Sequence, residues 1–514
     1  MKKIKLIIIL LTISSLFCAN ANITQSNSLV VAKNIFKQFS ATKNINDFNI
    51  ISVDIIKSDS DLNLMYIYKL DPIGFIIVSA SNKSLPCLAY SFKSDFSLLP
   101  TPVQEIIGTY KREIAEQLES PERAREDIEE KWNLYLSENP VFPETREVQP
   151  LIDAEFGQSG GWNNGVTNEL GFNGPVGCVA VAMSQVMHYW GHPSSGEGSN
   201  SYFEDDFGEI EVDFSQAFYD FENMPATFAS APSQLLLFDT GISVNMDYDF
   251  AGSGAWVIGG YPSTEYSLEF FFKYSSSIYS MYKTSNNESI FGDAIMSNLD
   301  VSMPVILRGY ADDYGGHAWN VDGYQGDNYQ SFHCNFGWGG SSNGWYSLTS
   351  MGGFPDDQAA IFNIFPRDLE NPIALYEYEV DASTVYFADL STMFNEYELQ
   401  NFHWDFGDGN TLITETGDIS YTFELTGDYI VELIVENIYG MFSDPFSETI
   451  SVQAAVPGDL TQDGNIDILD IVTMISLILG DPPTGSQLFV GDLNSDGIIN
   501  IQDVILLISM VLNG

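Results

Sequence analysis

The chain has 514 residues, 45% of them hydrophobic and 13% aromatic, enough apolar side chain for several packed cores and unlike a disordered polymer. Twenty basic against seventy acidic residues give a net charge of −50. A polyanion of that size repels nucleic acid and anionic lipid, so neither is expected as a partner.

Residues 1–21 read as an export signal. Met1-Lys2-Lys3-Ile4-Lys5 is basic, Leu6 to Phe17 is apolar but too short to span a bilayer comfortably, and Ala19-Asn20-Ala21 fits a cleavage site. A secreted or cell-surface-associated bacterial protein is expected, with no membrane insertion. Cleavage would leave Cys87, Cys178 and Cys334, an odd number that argues against a disulfide framework and for a thiol kept free.

Residues 22–147 read as a small α+β unit. Leu64–Leu70 and Gly74–Ser79 form a hairpin pattern around Asp71-Pro72-Ile73-Gly74, and Thr109–Ser137 reads as charged helix. The proline-marked stretch Asn139 to Arg146 should be exposed, and processing is expected between about Pro143 and Gln149. Residues 148–366 are rich in Gly and aromatics. There, Cys178–Tyr189 has a helical apolar rhythm, whereas the runs beyond Trp256 look mostly short and β-like. After a linker, residues 372–454 alternate apolar and polar as in a small β-sandwich. Trp404-Asp405-Phe406-Gly407-Asp408-Gly409, with Tyr421-Thr422-Phe423 and Gly427-Asp428-Tyr429, resembles a PKD domain, an Ig-like fold. Its turn aspartates are expected to cap the turn.

Residues 456–514 hold a 33-residue repeat, Gly458-Asp459-Leu460 recurring as Gly491-Asp492-Leu493. Oxygen-bearing side chains fall at Asp459, Thr461, Asp463, Asp467 and Asp470 in the first copy. In the second they fall at Asp492, Asn494, Asp496, Asn500 and Asp503. Gly464 and Gly497 supply the sharp turn, and Asn465 and Ile498 the position whose backbone carbonyl can serve. That is EF-hand spacing for hard, oxygen-seeking Ca²⁺, so two structural ions are expected. Asp in place of the usual final Glu, and the missing entering helix, resemble a type I dockerin. This implies a small all-α, calcium-binding module whose partner is a cohesin.

A cysteine nucleophile needs a base, a group to orient that base and donors for the oxyanion. Cys178 follows Gly177 at a predicted helix start, where the dipole and free N–H groups favour thiolate. His317 lies 139 residues on, inside the span of about 130–150 known between Cys and His in papain-like enzymes. Gly174-Pro175-Val176-Gly177-Cys178-Val179-Ala180-Val181-Ala182-Met183 resembles the nucleophile helix of streptopain-like peptidases. Gly315-Gly316-His317-Ala318 with Val321-Asp322-Gly323 resembles their histidine strand, and Asn335-Phe336-Gly337-Trp338-Gly339-Gly340 their NWGWGG. Pro150-Leu151-Ile152 with Phe156-Gly157-Gln158, and Gly241 to Tyr248, complete five blocks in order.

The resemblance implies an α+β papain-like cysteine endopeptidase that hydrolyses protein substrates without a catalytic cofactor. Its nucleophile would be Cys178, its base His317 and its oxyanion donor Gln158, with Asn335 orienting His317. Ser253, Gly316 and Trp338 would line the substrate cleft. Phe336 stands where the family has Trp, removing an indole expected to shield the His317–Asn335 bond. Tyr66 to Tyr68, Gly74 to Ser81 and Pro86 to Ser91 resemble the family's propeptide, so residues 22–147 are expected to mask the site in a zymogen. Two rivals share these features: a catalytically silent peptidase-like binding protein, disfavoured by retention of all four site residues, and a transglutaminase-type acyltransferase, disfavoured by the five blocks.

Overall fold

The computed structural model describes residues 22–40, 45–98, 101–311, 315–326, 331–349, 358–394, 399–437, 441–453, 456–480 and 482–513. The signal expected over residues 1–21 lies outside them. The chain divides into two compact units, Met1–Arg367 and Asp368–Gly514.

The first unit opens with helix α1 (Gln25–Phe39), capped by Thr24, whose hydroxyl accepts from Asn27 N. Strands β1 (Ile50–Lys57), β2 (Asn63–Leu70), β3 (Phe75–Ser79) and β4 (Cys87–Ser91) follow as an antiparallel meander. The expected β2–β3 hairpin is present. The single charged helix expected over 109–137 is instead two, α2 (Thr101–Glu119) and α3 (Glu126–Leu136). Pro121 lies in the break; it lacks an N–H and sets Ser120 extended.

After β5 (Glu147–Val148) come α4 (Asn164–Leu170), α5 (Cys178–Trp190), the hairpin β6 (Ser199–Glu204)–β7 (Gly208–Asp213), α6 (Ala231–Ser243) and α7 (Thr264–Phe270). The unit continues with β8 (Tyr279–Tyr282), α8 (Glu288–Asp300), β9 (Val305–Ala311), β10 (Gly315–Gln325), β11 (Ser331–Asn335), β12 (Gly344–Tyr346) and β13 (Ala359–Phe362). Helices α7 and α8 correct the expectation of mostly β structure beyond Trp256. In α8 the buried Phe291, Ile295, Met296 and Leu299 keep helical spacing that Gly292 interrupts.

These strands form one sheet in the order β1-β2-β3-β4-β12-β11-β10-β9-β13-β8, with β5 beside β10. The join is β4 against β12, where Tyr90 faces Trp345 and Ala89 faces Tyr346. The strands before residue 92 thus extend the sheet that carries His317. Alternation along β10 divides the surroundings: Ala318 belongs to the core around α5 and α6, whereas Trp319 and Val321 belong to the core under α2 and α8. Helix α5 is buried on every side from Val179 to Met187 and ends at Gly191 in the left-handed conformation.

In the second unit, β14 (Tyr376–Asp381), β15 (Thr384–Asp389) and β18 (Ile419–Thr422) form one sheet. A second sheet contains β16 (Leu399–Asp405), β17 (Thr411–Thr414), β19 (Gly427–Asn437) and β20 (Phe446–Val452). They share a core around Trp404, Phe387, Tyr376 and Phe406. Asp405 accepts from Gly407 N (2.9 Å), and Asp408 accepts from Asn410 N (2.9 Å) and Tyr421 Oη (2.7 Å), so both aspartates cap the turn. Gly407, at φ +73°, abuts the Ile430 carbonyl, which leaves no room for a Cβ. Helices α9 (Ile468–Leu479), α10 (Gly485–Gly491) and α11 (Ile501–Asn513) enclose a core of only Leu460, Met474, Val490, Val504 and Leu507.

The β4–β12 seam yields a test. Tyr110 of α2 is fully buried, and its hydroxyl reaches both Leu88 O (2.8 Å) in β4 and Ser347 O just after β12. Leu88 O also accepts from Ser347 N (2.9 Å), so Tyr110→Phe removes one buried hydroxyl donor and should destabilise the chain by about 1 kcal/mol, read from urea denaturation.

Candidate active site

Cys178 is the first residue of α5. Gly177 before it has φ +94°, and a Cβ there would lie 2.6 Å from Met246 Sδ and 3.2 Å from Ser253 O. Only glycine delivers the chain into the helix at this place. The Cys178 thiol accepts the Ala318 N–H of β10 at 3.4 Å. Burial pushes the thiol pKa up, while the backbone N–H groups of Ala318, Cys178 and Val179 pull it back down.

His317, one residue before Ala318, is 7% exposed, and its Nε2 has no hydrogen-bond partner among the described residues. Burial lowers its pKa to about 4. His317 stands opposite Gly309 in the β9–β10 ladder, and a Cβ on Gly309 would collide with the Glu105 carboxylate of α2. Directly cross-strand residues share a face of the sheet, so His317 departs on the side covered by α2, away from Ala318 and α5. The chain thus holds an uncharged imidazole and a protonated thiol, without a hydrogen bond between them among the described residues.

Gln158 lies in an extended segment whose backbone carbonyl accepts from Val176 N (2.9 Å), two residues before Cys178. This bond ties the Gln158 segment to the loop that leads into Cys178. Ser253 is nearly buried; its hydroxyl donates to Pro175 O (2.6 Å) and accepts from Asp249 N (3.3 Å), bracing the loop that leads into Cys178. Any substrate contact there would come from its backbone. Gly316 is exposed on β10 beside His317. Trp338 is half-buried, its indole N–H enclosed without a partner among the described residues.

Asn335 departs from the expectation. Its Oδ1 accepts from Gln185 Nε2 (3.0 Å) and Gly337 N (3.3 Å), and its Nδ2 donates to Ala154 O (2.8 Å). Its amide oxygen is committed to α5 and to the 154 segment, so in this state it does not orient His317. Phe336 likewise shields no His317–Asn335 bond: it packs between Trp319 and Tyr346 in the core under α2. Two features escaped the sequence reading. Gln185, fully buried, also accepts from Asn320 Nδ2 (2.8 Å), tying α5 to β10 and β11; a lone Gln inside an apolar helical run was its signal. Asp322 accepts from Ile152 N (3.0 Å) and pairs with His333 Nδ1 (2.6 Å), fixing the segment that leads to Gln158.

In the calcium loops, Asp459 accepts from Gly464 N (2.8 Å) and Asp492 from Gly497 N (2.7 Å), with Gly464 at φ +84° and Gly497 at φ +86°. Asp470 accepts from Thr461 N and Asp467 N, and Asp503 from Leu493 N, Asn494 N and Asn500 N. Both of these closing aspartates are fully buried. No three His, Cys, Asp or Glu side chains among the described residues are spaced to hold a metal. The remaining donors expected in these loops are Thr461, Asn465, Asn494, Asn500 and a backbone carbonyl.

Residues 156–346 match the Peptidase C10 family, 20–114 the Spi protease inhibitor family, 372–452 the PKD domain and 457–512 the dockerin type I domain. Streptopain of Streptococcus pyogenes is 26% identical over 341 residues, covering 59% of this chain and 81% of the relative. The thiol protease/hemagglutinin PrtT of Porphyromonas gingivalis is 25% identical over 445 residues, covering 79% of this chain and 48% of that one. A solved fragment of Prevotella intermedia prointerpain A shares 20% identity and a TM-score of 0.48, over 61% of this chain and 98% of the fragment. The inhibitor-like region is the propeptide, and the blocks around Cys178 and His317 lie inside the peptidase match. The chain contains a Peptidase C10 domain, that of a cysteine peptidase, together with a propeptide, a PKD domain and a type I dockerin domain.

Proposed function

We propose that this is a secreted zymogen that hydrolyses proteins through Cys178 and His317 and is tethered by its dockerin. Its parts are a signal at 1–21, a pro-domain at 22–147, a peptidase domain at 148–366, a PKD domain at 372–454 and a dockerin at 456–514. The observation that carries the reading is the Cys178 thiol at the first turn of α5, touching the β10 backbone one residue after His317. Release of α2 would clear the face on which His317 is held and let the imidazole turn to the thiol. Cys178 Sγ then attacks the substrate carbonyl carbon while its proton passes to His317. Gln158 donates to the oxyanion, the leaving amine takes the proton, and water cleaves the thioester. Asn335 acts as a positioning residue through Gln185. Ser253, Gly316 and Trp338 border the cleft. Within the processing window, residues 143–145 are exposed and Glu147–Val148 are paired to β10, so the cut falls upstream of the paired residues.

Type I dockerins bind calcium and cohesins. Here residues 456–514 contain eight acidic and no basic residues, so the charge opposite the buried Asp470 and Asp503 comes from backbone N–H groups and, when it is bound, from a cation. The donor set fits Ca²⁺. Asp459, Thr461, Asp463, Asn465, Asp467 and Asp470 would hold one ion, and Asp492, Asn494, Asp496, Ile498, Asn500 and Asp503 a second. Ile468, Val472, Ile501 and Ile505 leave α9 and α11 with exposed apolar faces for a cohesin. Among the described residues no helix is long and apolar enough to cross a membrane.

Three outcomes test this reading. Cys178→Ala and His317→Ala should each abolish casein hydrolysis, and a thiol alkylator should label Cys178 of the mature enzyme faster than Cys334. Cys334 is buried. Equal labelling of the two thiols would count against an activated thiolate.

Because burial lowers the folded pKa of His317 to about 4, unfolded chain binds more protons between pH 6.5 and 4. The precursor should therefore lose stability through His317 as pH falls across that window. In a Cys178→Ala background, His317→Ala should remove up to about 2–3 kcal/mol of that loss, followed by urea denaturation at each pH.

The third outcome concerns the dockerin, whose five-residue core offers little resistance to repulsion among its carboxylates. Chelation should reduce the helical circular dichroism of residues 456–514, and calcium should restore it. Asp459→Ala and Asp492→Ala should each weaken the response.

A further inference from the structure

The basic residues of this chain are segregated. Of its 20 lysines and arginines only Lys273, Lys283, Arg308 and Arg367 lie beyond residue 147, against 52 of its 70 acidic residues. The mature enzyme is a polyanion, and in the precursor the pro-domain supplies most of the cations that face it. One such meeting occurs on the segment that leads to Gln158. The extended segment 155–158 runs along the loop that holds Trp338: Gly339 N donates to Phe156 O (3.1 Å), and a Cβ on Gly340 would lie 2.6 Å from Glu155 Oε2. Glu155 precedes Gln158 by three residues, about 10 Å along an extended chain. Its backbone is anchored by the bond from its N–H to Ala226 O (2.7 Å), whereas no hydrogen bond reaches its carboxylate among the described residues.

The pro-domain docks on that same loop. Ser342 N donates to Asp95 O (3.0 Å), Ser97 N to Ser342 Oγ (2.9 Å) and Ser342 Oγ to Ser97 O (2.9 Å). This fixes the segment containing Lys93 next to Glu155. Burial raises the Glu155 pKa, and the Lys93 ammonium is the charge that opposes the rise. When the pro-domain leaves, that half-buried carboxylate loses its cation in a region with almost none to replace it.

We propose that Glu155, wedged against Gly340 three residues before Gln158, is a cation-accepting subsite of the mature cleft that Lys93 covers in the precursor. The enzyme accordingly prefers polypeptides that place Lys or Arg there. The inference rests on Gln158 marking the reaction centre. A basic substrate side chain takes up the role of Lys93, and the surrounding negative field draws cationic chains into the cleft.

The test uses mature enzyme processed from the full chain and a neutral, internally quenched peptide in which one Lys is walked through each position. At one position Lys should raise kcat/KM over Ala by about five- to tenfold at low salt, the gain shrinking in about 0.5 M salt. Glu155→Gln should bring that Lys-to-Ala ratio close to one, and Glu155→Lys should invert it. No preferred position in the wild type, or a preference that survives Glu155→Gln or is insensitive to salt, overturns the proposal. Failure to cleave the neutral parent peptide would count instead against Cys178 as nucleophile, so the two readings fail separately.

Discussion

The constraint on which the first unit depends is the antiparallel pairing of β4 with β12. Through Ala89–Tyr346 and Tyr90–Trp345 the pro-domain meander becomes part of the sheet that carries His317. The same attachment lays α2 over β9 and β10 and sets Glu105 over Gly309, directly across from His317. In the proposed zymogen, latency would rest on this sheet continuity. An imidazole on the α2 face of β10 and a thiol on the α5 face cannot exchange a proton, however correct their spacing in sequence.

Electrostatics reinforces this arrangement. Burial lowers the His317 pKa and raises that of Cys178, so burial favours the neutral form of each group over a thiolate–imidazolium pair. The N–H groups at the start of α5 act in the opposite direction and are already in place. What activation must supply is the imidazole and some hydration, while the helix end is prepared beforehand.

Much of this was legible in the chain because the informative residues are local. Gly177 before Cys178 and the apolar run after it announce a buried helix with a special entry, and paired Asp-x-x-x-x-Gly spacings announce the calcium loops. The Asp405 and Asp408 turn caps follow from the same short-range logic. What was not legible depends on long-range pairing. Asn335 sits in the expected block, yet whether its amide meets His317 or Gln185 is decided by how β11 registers against β10 and α5. Phe336 was read as standing where an indole would shield the histidine, but the position lies in the core with Tyr346. Helix α8 was missed because Gly292 weakens its periodicity, and the α2–α3 break because acidic, helix-favouring residues on both sides obscure what Pro121 does.

The shortness of β12 has a consequence for the enzyme after processing. Once β1–β4 depart, β12 becomes the border of the remaining sheet. A border with free N–H and C=O groups invites strand addition and aggregation, most of all when it is long and flat. Here the strand spans only Gly344–Tyr346, and only Trp345 and Tyr346 had partners in β4. So brief an edge offers little for edge-to-edge growth, and on the proposed processing the sheet would lose four strands without exposing a long one.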